Sequence, residues 1–150
     1  MLNKHLINLE WQIKQTEADI QSDFSKCESV EYPKIYLESI VLNLLTNAIK
    51  YKSKNRKPKI NFTTNIDKDG IIFLVCEDNG LGIDMQKHEH KLFGLKKTFH
   101  EHPDAKGVGL FITKNQIETM GGTIFAESEI DKGTKFTIQF NKYINQWKEN

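Results

Sequence analysis

Cysteine is scarce in this 150-residue chain: only Cys27 and Cys76 occur, too few for the disulfide framework of a small secreted domain. Cys76 stands in an apolar run and reads as a small buried hydrophobe. Proline is also sparse, with three in all, and no linker rich in Pro, Gly or Ser divides the chain. A single domain over residues 1–150 is therefore expected. Long apolar runs are missing as well. The longest, such as Ile71 to Cys76, fall far short of the ~18 residues that span a bilayer. The opening residues lack the apolar core and small-residue cleavage site of a signal peptide, so a cytoplasmic domain is expected. Nor is there an excess of one charge: 21 Lys and Arg against 20 Asp and Glu leave a formal +1. That balance supplies no reason to expect nucleic acid, and 38% hydrophobic residues exclude a strongly disordered chain.

What is present is periodic. Leu2, Leu6, Ile7, Leu9 and Ile13 form a loose helical stripe, predicting a first helix that ends around Ala18. Asp19 to Phe24 and Val30 to Tyr32 read as short strands around a polar turn. Pro33 suits a first helical turn, and Ile40, Val41, Leu44, Leu45, Ala48 and Ile49 carry helical spacing to about Tyr51. Lys59 to Ile66 and Ile71 to Asp78 read as strands joined at Asp69-Gly70. A turn-rich stretch from Asp78 to Asp84 leads into a weak helix around Met85 to Phe93. Leu95 to Lys106 then shows no periodicity, which predicts a mobile loop. Val108 to Met120 reads as a helix closed by Gly121-Gly122, and Thr123 to Glu127 and Thr134 to Phe140 as strands across a Lys132-Gly133 turn. Elements grouped in this way predict an α+β fold: a two-layer sandwich, with about three helices on one face of a mixed, mostly antiparallel sheet.

Three segments carry chemistry. Asn43, Asn47 and Lys50 stand at i, i+4 and i+7, hence on one helix face. Amide oxygens ligate Mg²⁺ and a lysine can face a phosphate, although an asparagine on a helix also simply faces solvent. Asp78-Asn79-Gly80-Leu81-Gly82 ends an apolar strand. Its carboxylate can accept a hydrogen bond from the exocyclic amine of a base, and its glycines let a ligand approach the backbone; the same residues also read as an ordinary turn. Lys106-Gly107-Val108-Gly109-Leu110 opens a helix, where terminal N–H groups make a natural phosphate site. Ile112 breaks the G-x-G-x-x-G pattern, so a dinucleotide Rossmann reading is poor, and no G-x-x-x-x-G-K-[ST] is present for a P-loop.

Taken in order, Asn43 through Asn47 to Lys50-Tyr51, Asp78 with Gly80 and Gly82, Phe93, Gly107 with Gly109 and Leu110, and Gly133-Thr134 resemble the catalytic ATP-binding domain of two-component sensor histidine kinases. They match its asparagine box, first glycine box, phenylalanine box, second glycine box and closing Gly-Thr, over about residues 1–141. The resemblance implies a Bergerat ATP-binding fold with ATP and Mg²⁺ as cofactors. It makes Asn43 and Lys50 the catalytic candidates, sets Asn47 on Mg²⁺ with help from Asn43, and brings Lys50 to the phosphates. Asp78 would meet the adenine amine, with Thr134 supporting it through water and Tyr51 near the adenine. Lys106, Gly107, Gly109 and Leu110 would serve the phosphates as the lid after Phe93 closes.

Related gyrase, mismatch-repair and heat-shock ATPases usually place Glu where this chain has Asn43. An amide cannot take a proton from water, which implies that ATP survives for transfer to a protein side chain. The implied acceptor is a histidine on a helical dimerisation domain of the same parent protein, with a response regulator receiver domain downstream. A membrane would enter only through that parent, and nucleic acid not at all. Two further readings keep the fold: a non-catalytic nucleotide-sensing or partner-binding module, and a serine kinase like the small anti-sigma kinases.

Other features read as ordinary surface. His100-Glu101-His102-Pro103 has its proline too soon for a phosphoacceptor helix, and His5 has no matching motif around it. His88-Glu89-His90 and His100-Glu101-His102 lack a cysteine or a helical i, i+4 pair, which makes them polar surface before a metal site. Lys50 to Lys59 hold six basic and no acidic residues, a solvated face or an aid to phosphate attraction. Trp147 reads as a packing anchor in the tail.

Overall fold

The computed structural model describes residues 2–94 and 109–140. Helix α1 (Leu2–Thr16) leads into strand β1 (Asp19–Asp23), then α2 (Lys34–Lys50), β2 (Lys59–Ile66) and β3 (Ile72–Asp78). A short α3 (Met85–His88), α4 (Gly109–Thr119), β4 (Thr123–Glu129) and β5 (Gly133–Gln139) follow. The strands form one sheet in the order β1-β2-β3-β5-β4. β1 runs parallel to β2, and the other three pairings are antiparallel. This is the expected mixed, mostly antiparallel sheet.

Alternation decides which face is covered. On β2, Ile60 and Phe62 are buried while Lys59, Asn61 and Thr63 are exposed. Leu74 and Cys76 on β3, and Phe136 and Ile138 on β5, repeat the pattern in register. Side chains two apart share a face, so these residues form one apolar surface. Ile40, Leu44 and Ala48 of α2, spaced by four, join it in a single core with Ile117 of α4. Ile40, Ile60, Ile117 and Ile138 are 0% exposed, and each such burial stabilises by ~1.5–3 kcal/mol. Asn43 of α2 reaches Thr113 of α4 and Ser39 reaches Gln116, which sets the two helices side by side and antiparallel.

Several boundaries differ from the sequence expectation. α1 stops at Thr16 because Glu17 turns to φ 55 and the Ala18 N–H bonds back to the Ile13 carbonyl at 3.2 Å. β1 ends at Asp23, whose Oδ1 accepts from the N–H and hydroxyl of Ser25 at 3.0 and 2.6 Å. Val30 to Tyr32 form no strand. Val30 and Tyr32 reach the core through their side chains, Tyr32 edge-on against Phe140 at 4.9 Å, with no ladder to join. Pro33 caps α2 from outside its first turn. The weak helix after Asp84 is one turn of α3 and a 3-10 turn at Glu89–Lys91. The last hairpin turns at residues 130–132, with Asp131 at φ 63, and Gly133 belongs to β5.

Candidate nucleotide site

Register places the polar chemistry in one row of the sheet. Ile60 pairs with Asp78, Asp78 with Thr134, and Thr134 with Ser128. The adjacent row on the same face is Phe62, Cys76, Phe136 and Ala126. An apolar floor therefore ends in a carboxylate and two hydroxyls, at the ends of β3 and β4 and the start of β5.

Asp78 is the centre of that row. Its Oδ1 accepts the N–H of Gly80 at 2.9 Å and of Thr134 at 3.3 Å. Burial pushes the carboxyl up to about 6 against the opposing pull of those two N–H groups, with Glu77 adding to the rise. At neutral pH the group is ionised; among the described residues Oδ2 accepts no hydrogen bond. Ser128 Oγ donates to the Gly133 carbonyl and accepts from the Ile83 N–H, each at 2.8 Å. With the Ser128 proton so used, the Thr134 hydroxyl donates to Ser128 across their 2.8 Å contact. Its lone pairs stay available beside Asp78.

The backbone around Asp78 leaves no room for alternatives. Gly133 has φ +125, and a Cβ there would overlap the Asp78 carbonyl oxygen; Gly82 has φ +72, and its Cβ would overlap the Glu129 carbonyl. Tyr51 caps α2, and its carbonyl accepts the Leu81 N–H at 2.9 Å, which fixes the helix end against the Asp78 turn. Burial raises the Tyr51 phenol above its ordinary value. Arg56 then fastens the turn from outside. Its Nε donates to the Asn79 carbonyl at 2.7 Å, and Nη2 to the carbonyls of Gly80 at 2.8 Å and Asp131 at 2.7 Å. Nη1 pairs with Asp131 Oδ1 at 3.2 Å. Composition alone counted Arg56 as one charge in a basic decade; partners 23, 24 and 75 positions away give no local signal.

Asn43, Asn47 and Lys50 are half-buried along α2. Asn43 Nδ2 donates to Thr113 Oγ1 at 3.0 Å and reaches the Gly109 carbonyl at 3.5 Å. A carbonyl only accepts, so the amide turns its nitrogen to α4 and keeps Oδ1 for other use. Thr113 is 0% exposed and is a second residue that local patterning missed. Gly109 and Leu110 open α4 at this seam. Phe93 lies edge-on to Phe136 with centroids 6.3 Å apart, under Lys114 Nζ at 5.5 Å. The structure thus brings Tyr51, Asp78, Gly80, Gly82 and Thr134 together at one end of α2, and Asn43 with Gly109 at the α4 seam. Lys106 and Gly107, the loop expected over Leu95 to Lys106 with its His100-Glu101-His102-Pro103, and Trp147 lie outside the described residues.

The donor set fits a nucleotide carrying a hard cation. A desolvated carboxylate and hydroxyl suit the amine edge of a base, and amide oxygens with a lysine suit a cation and phosphates. Among the described residues no three His, Cys, Asp or Glu cluster as a metal site, and no helix is long and apolar enough to cross a membrane.

Residues 33–144 match the family described as histidine kinase-, DNA gyrase B- and HSP90-like ATPase. The phytochrome-like protein Cph1 of Synechocystis is 33% identical over 138 residues, 91% of this chain and 18% of its own length. The signal transduction histidine-protein kinase ArlS of Staphylococcus aureus is 33% identical over 134 residues, 85% of this chain and 29% of its own. The chain therefore spans under a third of these relatives. Among solved structures, the mycobacterial sensor histidine kinase MprB superposes with a TM-score of 0.72 at 20% identity, covering 93% of this chain and 91% of that one. The layered α/β architecture is common to both.

Proposed function

The chain belongs to the family of histidine kinase-, DNA gyrase B- and HSP90-like ATPases, and from that premise we propose that it binds Mg²⁺-ATP and passes the γ-phosphoryl to a histidine on a separate helical domain. Asp78 carries the reading. It is a half-buried carboxylate whose Oδ1 is held by two backbone N–H groups while Oδ2 remains an acceptor. The two N–H groups fix the direction of an open acceptor, and the exocyclic amine of adenine is a donor that fits it. Thr134 assists beside it, and Tyr51 borders the base.

Asn47, helped by the Oδ1 of Asn43, would hold Mg²⁺, which when bound neutralises phosphate charge. Lys50 adds a positive charge on the same helix face. The N–H groups of Gly109 and Leu110 at the start of α4 meet the phosphates, with Gly107 and Lys106 before them. No carboxylate occupies position 43 to take a proton from water, so the chain is suited to transfer and not to hydrolysis. Ile7 and Trp11, four apart on α1, are 67% and 62% exposed; an apolar stripe of that kind suits packing against a helix of the parent protein. The receiver domain of a response regulator, a separate partner, would take the phosphoryl from that histidine, and this chain works in the cytoplasm.

The test is calorimetry with a non-hydrolysable ATP analogue. Mg²⁺-dependent binding is expected, and its loss in Asp78→Ala; unchanged binding in that variant overturns the site. Phosphotransfer to a histidine-bearing helical domain supplied in trans should yield acid-labile phosphate. Acid-stable phosphate would mark a serine kinase, and binding without transfer a sensing module.

A further inference from the structure

We propose that Arg56 is a positioning residue for base selection, acting through one peptide plane on Asp78. The inference rests on the nucleotide reading above and adds a residue to it. The carbonyl of Asn79 and the N–H of Gly80 belong to the same planar peptide unit. Arg56 Nε holds that carbonyl at 2.7 Å, and the N–H holds Asp78 Oδ1 at 2.9 Å. The Arg56 side chain therefore sets the plane that sets the carboxylate. A cation on the carbonyl side also polarises the unit and strengthens its N–H as a donor.

The second donor to Asp78 is governed from the same guanidinium. Arg56 binds the carbonyl and carboxylate of Asp131, three positions before Thr134, whose N–H reaches Asp78 Oδ1 at 3.3 Å. The Gly80 carbonyl takes a further bond from Nη2 at 2.8 Å. Both backbone segments that grip Oδ1 are thus pinned by one side chain, and the direction of Oδ2 follows from that grip. Lysine cannot reproduce it, because an ammonium is a point donor and the site uses a planar fork with separated carbonyls.

The consequence is selective. An adenine presents an amine to Asp78 and a guanine presents a carbonyl at the corresponding edge, so loosening Asp78 should erode discrimination and not merely affinity. Calorimetry with ATP and GTP on wild type, Arg56→Lys and Lys54→Ala tests this; partial unfolding weakens both nucleotides by the same factor and so leaves their affinity ratio unchanged. Arg56→Lys, which keeps the charge, should weaken ATP by about tenfold and lower the ATP-to-GTP affinity ratio by a similar factor. Lys54→Ala, which removes a charge from an exposed neighbour, should leave both within about twofold. The proposal is overturned if Arg56→Lys preserves the affinity and the ratio, or if Lys54→Ala weakens ATP as much as Arg56→Lys does. A wild type that fails to bind ATP, or an Asp78→Ala variant that binds normally, overturns the nucleotide reading itself.

Discussion

At its C-terminal end α2 meets the Asp78 turn backbone to backbone, the Tyr51 carbonyl accepting the Leu81 N–H at 2.9 Å, with Arg56 fastening Asn79, Gly80 and Asp131 around it. About two turns earlier the same helix meets α4 through a side-chain amide, Asn43 to Thr113 at 3.0 Å and to the Gly109 carbonyl at 3.5 Å. The contrast separates two design problems. On the proposed reading the first end recognises a base, which needs fixed geometry, and main-chain bonds hold Asp78 wherever the sheet register puts it. The second end would meet a charged ligand, and there the contacts are made by groups whose exchange leaves the backbone in place. Substitutions that displace the backbone at the first end should therefore disturb fold and binding together, and side-chain substitutions at the second should separate them.

The largest effect is expected where base-end packing is tightest. Gly133→Ala would force a Cβ into the Asp78 carbonyl oxygen at a φ of +125 that only glycine adopts readily. A loss of about 2–4 kcal/mol of unfolding free energy in denaturant titration is expected. An unchanged midpoint would mean that the hairpin can slide away from β3, and the base end would not be the rigid one.

Asp78→Asn comes next and should move stability and binding in opposite directions. The side chain keeps its shape, and its carbonyl still accepts from Gly80 and Thr134, which leaves an amide N–H₂ where the ligand amine needs an acceptor. ATP affinity should fall about 100-fold. Stability goes the other way. The carboxyl sits at about 6 in the fold against an ordinary 3.8, so the fold favours its protonated form. Its charge therefore costs stability fully above pH 6 to 7 and nothing below 3.8. The variant should unfold later than wild type at pH 7.5, by up to about 3 kcal/mol, and lose that advantage as the pH falls from 6 toward 4. Wild-type ATP affinity should weaken over the same descent, as the acceptor is protonated. A variant less stable than wild type at pH 7.5 would show that Asp78 serves the fold and not a ligand.

Local pattern made much of this legible. The alternation of Ile60 and Phe62 places β2 at Lys59–Ile66, and the spacing of Ile40, Leu44 and Ala48 carries α2 to Lys50, because burial imposes its period on neighbouring residues. Asp78, Thr134 and the glycines stand out by type and order, and the register pairs Asp78 with Thr134 as that order requires. Val30 to Tyr32 misled because apolar residues that pack without a ladder look like a strand. Arg56, Ser128 and Thr113 stayed hidden for a different reason. Their roles arise from bonds across 24, 45 and 70 positions, and no window of neighbouring residues holds both partners.

Thr113 offers the mildest test and the sharpest one of the contrast between the two ends. Its side chain is wholly buried, and its hydroxyl receives the Asn43 amide. Thr113→Val keeps the volume and removes only that acceptor, so the fold should change by no more than about 1 kcal/mol. The amide loses the bond that turns its oxygen away from α4, and Mg²⁺-ATP affinity should drop about three- to tenfold. Thr113→Ser keeps the acceptor and deletes a buried methyl, which should cost about 1 kcal/mol of stability while leaving affinity near wild type. Thermal unfolding and calorimetry on the pair should therefore cross: valine impairs binding and spares the fold, serine the reverse. If both variants lose stability and affinity in proportion, the α2–α4 seam is held as rigidly as the Asp78 turn, and the two ends of the helix obey one rule.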